Sequence, residues 1–256
     1  MSSINKFNFN ETFLGFIDNC ELLPKDFDEF TSTLRHRQLF LALCNNMLES
    51  SCKFSKYEQK RLRQFSLKEA FHQKIESLLP NKIPFNKNKT KSFNFCKDST
   101  KIINSYKKRK SALIVTSNKK ILDVAKLISL CYVNNKMQFI LDKNLLFHEF
   151  VLHKIKKLHK DKTVKDHGDS ISITGKDVNA LKIYTSWKNI QKNKPDIKDE
   201  LEYAIRSIKK ENYSQVYLVY PKANDFKRHI PVYVDELKNK AYVIKAIPYS
   251  LRSTIR

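Results

Sequence analysis

The C-terminal stretch 213–256 constrains the fold of this chain more than any other part of its sequence. It contains three runs rich in valine, isoleucine and tyrosine, at residues 216–220, 229–234 and 241–247, and polar segments separate them. β-Branched and aromatic residues favour the pleated, half-buried surface of a sheet, and the polar segments have the composition of turns. The pattern predicts three consecutive strands that form an antiparallel β-meander.

Alternation within these runs assigns the side chains to two faces of the sheet, because successive residues of a strand point to opposite sides. One predicted face is apolar and carries Val216, Leu218, Tyr220, Ile230, Val232, Val234, Tyr242 and Ile244. The opposite face carries Tyr217, Tyr233 and Lys245. The runs are flanked by basic side chains, namely Lys222, Lys227, Arg228, His229, Arg252 and Arg256.

Residues 111–212 alternate short apolar runs with helical patterns. Strands are predicted at 112–116, 137–141, 170–174 and 180–185. Helices are predicted from Asn118, over about 144–159, and at 197–210. Alternation followed by a meander indicates a mixed sheet with helices packed on it, so 111–256 is predicted to be one mixed α/β domain.

The N-terminal region 1–80 is predicted to be helical. Asn10 can cap a helix through Leu23, and a second helix is expected over about 26–49. Two capping boxes, Ser55 with Glu58 and Ser66 with Glu69, divide 56–79 into two further helices. Residues 81–110, rich in asparagine and lysine, are predicted to be a basic linker. The chain as a whole is predicted to be α+β.

Charge is the strongest indication of a partner. Lysine and arginine number 49 against 26 aspartates and glutamates, which gives a formal net charge of +23. The surplus is uneven, since residues 1–52 hold four basic and seven acidic groups while 53–126 hold twenty and five. A surplus of this size attracts polyanions, chiefly nucleic acid.

Basic residues interleaved with aromatic ones suit nucleic acid, because cations neutralise phosphates and tyrosine rings stack on bases. The chain is therefore predicted to bind DNA or RNA without catalysis, as part of a DNA- or RNA-handling assembly. The residues predicted to bind are Lys107, Lys108, Arg109, Lys110, Tyr217, Lys222, Arg228, Tyr233, Lys245 and Arg252.

A metal-dependent nuclease is the alternative enzymatic interpretation. Asp225, followed by Glu236 and Lys238, has the order of an aspartate and a strand-borne acid-x-lysine that hold a metal and activate water. A zincin site is not expected, since His148 and His153 are five residues apart rather than four. Three glycines in the whole chain exclude a Walker loop and a dinucleotide fingerprint. No metal and no cofactor are predicted.

A third interpretation is an interaction module that docks a protein partner through acidic N-terminal helices within 1–52. No apolar run approaches the length of a membrane span. Five cysteines without a CxxC pair are typical of reduced thiols, and the predicted location is cytoplasmic.

Overall fold

The computed structural model describes residues 12–26, 30–79, 97–108, 122–175, 178–191, 195–238 and 241–254. The chain divides into two compact units. The first unit comprises Met1–Leu23 and Phe40–Asp142, and the second comprises Pro24–Leu39 and Lys143–Arg256. Helices accompany mixed sheets, so the predicted α+β class is confirmed.

The first unit contains a four-stranded antiparallel sheet in the order β2-β1-β4-β3. Its strands are β1 (Phe13–Ile17), β2 (Cys20–Leu22), β3 (Tyr132–Val133) and β4 (Lys136–Asp142). Its helices are α2 (Lys56–Arg61), α3 (Leu67–Leu78), α4 (Lys97–Lys107) and α5 (Asp123–Cys131). The preceding helix, α1 (Thr33–Cys44), belongs to the second unit up to Leu39 and to the first from Phe40.

The prediction of a helix through Leu23 was wrong, because β1 and β2 form a hairpin there. Asp18 at the turn has a positive φ of 51°, and all five residues of β1 pair with β4, more than a hundred residues later. Gly15 lies so close to the backbone of Phe139 that no side chain fits between them. Long-range pairing thus overrides a local pattern that resembled a helix.

Both predicted capping boxes are confirmed. Ser55 caps α2, where its backbone N–H donates to Glu58 at 2.6 Å. Ser66 caps α3 in the same way, and its backbone N–H donates to Glu69 at 2.7 Å. The helix predicted over 26–49 is also present, in the shorter form of α1.

Part of the predicted linker is folded. Residues 97–107 form α4, which buries Ser99, Ile102, Ile103 and Tyr106. These residues are three or four positions apart, so they form a single buried stripe, apolar except for Ser99, in a segment whose composition is dominated by lysine and asparagine. Residues 81–96, 109 and 110 lie outside the described part of the chain, as does the predicted strand at 112–116.

The second unit contains a six-stranded mixed sheet in the order β5-β6-β7-β8-β10-β9. Strands β7, β8 and β10 are parallel to one another, and the remaining neighbours are antiparallel. The strands are β5 (Thr163–Asp166), β6 (Ser170–Gly175), β7 (Val178–Thr185), β8 (Gln215–Pro221), β9 (Ile230–Val232) and β10 (Val243–Tyr249). The helices are α6 (Lys143–Leu158) and α7 (Lys198–Lys210).

The three C-terminal strands are present, and β9 and β10 form the expected antiparallel pair. Strand β8, however, pairs with β10 in parallel, so β9 is the edge strand and not the central strand of a sequential meander. Pro231 explains this order, because proline has no N–H to donate and is tolerated in a sheet only at an edge or a bulge.

The predicted faces of the C-terminal strands agree with the register. Tyr217 pairs directly with Lys245, which places both side chains on one face. Val216 and Ile244 pair on the opposite, buried face. Tyr184 of β7 also lies on the buried face, and α7 covers that face, because Tyr184 shares a 2.8 Å hydrogen bond with Ser207.

Within the described residues, no helix combines the length and the apolar character needed to cross a bilayer.

Candidate functional site

The carboxyl ends of three parallel strands lie along one edge of the second unit's sheet. Strands β7, β8 and β10 end there at Thr185, Pro221 and Tyr249. Directly after β8, the backbone N–H of Lys222 donates to the carbonyl of Tyr249 at 2.9 Å. Ligands of open α/β sheets characteristically bind outside the carboxyl ends of parallel strands, so this carboxyl edge is the first place to look for a site.

Residues 222–229, here called the basic loop, connect β8 to β9 at this edge. Ala223 and Phe226 are buried, and the Phe226 N–H donates to the Ala223 carbonyl at 3.1 Å to close a turn. The Phe226 ring packs edge-on against Tyr220, with ring centroids 6.3 Å apart. The loop is therefore anchored in the core, while Lys227 and Arg228 are exposed to solvent.

The cations of the basic loop have no acidic partner in the part of the chain that the structure describes. Neither Lys222, Lys227 nor Arg228 forms an ion pair with a carboxylate in the described part of the chain. The more buried lysines of the same unit are neutralised; the pairs are Lys143–Asp26 at 2.8 Å, Lys182–Glu211 at 3.1 Å and Lys188–Glu200 at 3.0 Å. The loop charge is thus left available to an external anion.

Lys188 shows how the neutralised lysines differ from those of the loop. Partial burial on its own would lower the pKa of Lys188, but the hydrogen bond and the charge of Glu200 raise that pKa above its usual value. Lys188 therefore remains charged, and the carboxylate of Glu200 neutralises that charge within the protein.

The sheet face opposite α7 carries Tyr217 and Lys245 side by side, and α6 covers another part of that face, where His148 contacts Thr185 and Phe150 packs against Tyr249. Tyr217 is flanked by Ile183 and Lys245, and Lys245 is flanked in turn by Pro231. Tyr217 and Lys245 are half-buried. Four residues separate Lys245 from the end of β10, so Tyr217 and Lys245 lie about 13 Å from the carboxyl edge.

Lys245 also lines a cavity of about 480 Å³ beside the edge strand β9. Tyr233 and Tyr242 contribute to the same cavity. Tyr233 follows β9 and is 86% exposed, whereas the Tyr242 hydroxyl donates to the Val234 carbonyl at 3.1 Å. Tyr233 is therefore free to stack on a ligand, and Tyr242 is fixed.

The predicted binding residues fall into three places. Lys222, Arg228 and Arg252 are at the carboxyl edge, where Arg252 belongs to the final 3₁₀ turn. Strands β8 and β10 and the β9 cavity hold Tyr217, Lys245 and Tyr233. Lys107 and Lys108 are exposed at the end of α4 in the first unit, and Arg109 and Lys110 lie outside the described residues.

The residues of the predicted nuclease alternative do not lie on the strand that this interpretation requires. Asp225 is exposed in the basic loop, and Glu236 lies on a 3₁₀ turn, Asp235–Leu237, instead of a strand. Glu236 pairs with Lys209 at 2.6 Å, and Lys238 pairs with Asp235 at 2.9 Å. Among the described residues, no three histidine, cysteine, aspartate or glutamate side chains are grouped so that they could hold a metal ion.

Sequence reasoning missed a buried histidine. His148 of α6 shares a 3.0 Å hydrogen bond with Asp166 of β5 through Nε2, and a second of 3.0 Å with Thr185 of β7 through Nδ1. The signal was present, since His148 precedes Val151 and Leu152 by three and four residues on the buried face of the helix. His148 therefore ties the helix to the sheet.

Asp166 is expected to make stability depend on acid. Burial tends to raise the pKa of Asp166, but the Gly168 N–H and His148 together hold that pKa below the usual 3.8. A carboxyl whose pKa is lower in the folded state contributes stability above its unfolded pKa and loses it as pH falls through the folded pKa. Asp166→Asn should therefore be less stable than wild type to urea at pH 7, by an amount that shrinks below pH 3.8.

Asp161→Asn, at an exposed aspartate of the preceding loop, is the matched control. It should unfold like wild type at both pH values. Equal stability of Asp166→Asn and wild type at pH 7 would show that the His148–Asp166 contact contributes nothing.

No protein-family model matches this chain, and no curated protein matches it. A solved structure is similar in fold: a refined half-complex from a tetradecameric assembly of Thermococcus gammatolerans McrB AAA+ hexamers with bound McrC. The superposition covers 94% of this chain and 78% of that chain, with a TM-score of 0.62 and 12% sequence identity. The likeness at this identity is one of fold.

Proposed function

We propose that this chain binds nucleic acid without cleaving it, through the basic loop at the carboxyl edge and through Tyr217, Tyr233 and Lys245. One observation carries the proposal: among the described residues, Lys222, Lys227 and Arg228 have no acidic partner on a loop that Phe226 anchors, while the more buried lysines of the same unit are neutralised. Because the loop backbone is already ordered, contact with phosphates orders only the side chains of these cations. The overall charge of +23 adds long-range attraction.

A larger assembly is part of the proposal. The structure of similar fold is an assembly of McrB AAA+ hexamers with bound McrC, which supports a role for this chain beside protein partners.

Docking of a protein partner through the acidic N-terminal residues has less support, because the described acids there already have partners. These pairs are Asp18 with Lys136, Glu21 with the Leu67 N–H, Asp26 with Lys143, and Glu49 with Lys126.

The proposal is tested first by binding and by the absence of cleavage. Fluorescence anisotropy with labelled single-stranded and duplex oligonucleotides should show binding tighter than roughly 10 μM at low salt. With magnesium or manganese the oligonucleotides should stay intact. Asp225→Ala, Glu236→Ala and Lys238→Ala should bind like wild type. Metal-dependent cleavage that all three substitutions abolish would establish the nuclease instead.

Tyrosine substitutions distinguish stacking from simple charge attraction. Tyr233→Ala should weaken binding to single strands by about 1–3 kcal/mol and leave duplex binding nearly unchanged, because only unpaired bases expose a face to the ring. Tyr217→Ala should act in the same direction. Tyr57→Ala, at a tyrosine of the first unit that is 70% exposed, is the control and should change neither affinity. Equal losses for single strands and duplex would exclude a stacking role.

A further inference from the structure

A large cavity in the first unit has no role in the proposed nucleic-acid interface. Its volume is about 900 Å³, and residues of α3, α4 and the β3–β4 hairpin line it. Pockets that hold small molecules usually measure about 300–1,000 Å³, so this space suits a ligand larger than a simple ion.

Two lysines in the lining can attract an anionic group. The Lys68 ammonium donates to the side-chain carbonyl of Asn19 at 3.3 Å, and Lys107 is exposed at the end of α4. Neither lysine forms an ion pair with a carboxylate among the described residues. Glu69, which also lines the cavity, is occupied as the capping box of α3, where it accepts the Ser66 N–H. Glu76, the other acid of the lining, lies beside the Tyr106 hydroxyl, so Lys68 and Lys107 are the two cations of the lining that can contact a phosphate.

A second part of the lining is aromatic and held in place. The Tyr106 hydroxyl lies 2.6 Å from Nδ1 of His72, and the Tyr106 and Tyr132 rings meet edge to face with centroids 5.5 Å apart. Burial, followed by the nearby Glu76 carboxylate, raises the pKa of Tyr106. Its hydroxyl therefore stays protonated, and its hydrogen bonds with His72 and Glu76 hold the ring in place. Tyr132 is half-buried, so part of its ring borders the cavity.

Side-chain amides supply hydrogen bonds next to these rings. Asn135 lines the cavity from the tight turn between β3 and β4, where Asn134 and Asn135 both have positive φ values, 50° and 63°. Asparagine tolerates this conformation better than most residues, and a two-residue turn of this kind fixes the direction of its Cα–Cβ bond. An amide both donates and accepts, which suits the polar edge of a nucleobase.

We propose that this cavity binds a nucleotide, with the phosphate at Lys68 and Lys107, the base against Tyr132, and the base edge at Asn135. The binding site uses side chains in place of a glycine-rich phosphate loop, so it is compatible with the three glycines of the chain. It departs from the expectation that the protein takes no cofactor. It also lies in a different unit from the basic loop, and it does not depend on nucleic-acid binding.

Isothermal titration calorimetry of the full chain tests this proposal with four ribonucleoside monophosphates, adenosine and ribose 5-phosphate. At least one monophosphate should bind saturably at one site, and adenosine and ribose 5-phosphate should bind about tenfold more weakly or worse. Lys68→Ala with Lys107→Ala should weaken monophosphate binding about tenfold and leave nucleoside binding unchanged. Tyr132→Ala should weaken both.

Two controls keep the interpretation specific. Lys101→Ala removes an exposed lysine of α4 that does not line the cavity, and it should bind the monophosphate like wild type. Charge reversal of the basic loop should also leave monophosphate binding intact. If ribose 5-phosphate binds as tightly as the monophosphates, the cavity is an anion site without a base pocket, and the proposal is overturned. The proposal is also overturned if no monophosphate binds saturably.

Discussion

Reversing the three cations of the basic loop, by Lys222→Glu, Lys227→Glu and Arg228→Glu together, is expected to weaken nucleic-acid binding by at least about 100-fold at low salt. Each reversal removes an attraction to a phosphate and adds a repulsion. A contact between unit charges is worth about 1 kcal/mol even in bulk water, and 1.4 kcal/mol corresponds to a factor of ten in affinity. Three charge reversals in an anchored loop should therefore lower the affinity by more than a factor of about 100.

Charge reversal at three other lysines distinguishes a specific contribution of the basic loop from the effect of net charge alone. Lys157, Lys160 and Lys165 are exposed lysines of the same unit, and their replacement by glutamate changes the net charge by the same amount. This control variant should lose only a small part of the affinity, because it alters long-range attraction and removes no proposed contact. Equal losses in the two variants would mean that the basic loop is not a binding site.

Gly15→Ala is expected to have the largest effect on stability, a loss of about 4 kcal/mol or more. An added Cβ would lie 1.8 Å from the carbonyl oxygen of Phe139 and 2.9 Å from its carbonyl carbon. Both atoms belong to the backbone of β4, so no side-chain rotation relieves the overlap. The φ of Gly15, +135°, is in addition a conformation that residues with a side chain rarely adopt.

Gly168→Ala provides the comparison. Gly168 also has a positive φ, +84°, but nothing lies within 4 Å of its added Cβ. It should cost only about 1–2 kcal/mol, the strain of the backbone conformation. Urea denaturation measures both variants. A Gly15→Ala protein as stable as Gly168→Ala would show that β1 and β4 do not approach each other as closely as described.

The sequence predicted those elements whose causes are local. A capping box is complete within four residues, so Ser55 with Glu58 and Ser66 with Glu69 could be recognised directly. The β1–β2 hairpin could not, because what makes Phe13–Ile17 a strand is its pairing with Lys136–Asp142. The order β8-β10-β9 was missed for a related reason. The runs themselves were evident, but only the edge requirement of Pro231 indicates which run lies outermost.

In the candidate site, too, the features with local causes were predicted and those that depend on long-range contacts were not. Sequence identified a surplus of cations near the C-terminus, yet it could not say which of them are neutralised, since the neutralising acids come from distant positions. Asp26, which pairs with Lys143, is an example. It also could not show that Phe226 anchors the basic loop, because that depends on the position of Tyr220 in the folded sheet.

The salt dependence of duplex binding tests the role of the basic loop most directly. Each phosphate that a cation neutralises contributes about −0.9 to the slope of log affinity against log salt concentration. If Lys222, Lys227 and Arg228 each contact a phosphate, their replacement by alanine should make the slope shallower by about 2–3. An unchanged slope in that variant, or a wild-type protein that binds neither DNA nor RNA at low salt, would contradict the proposed function.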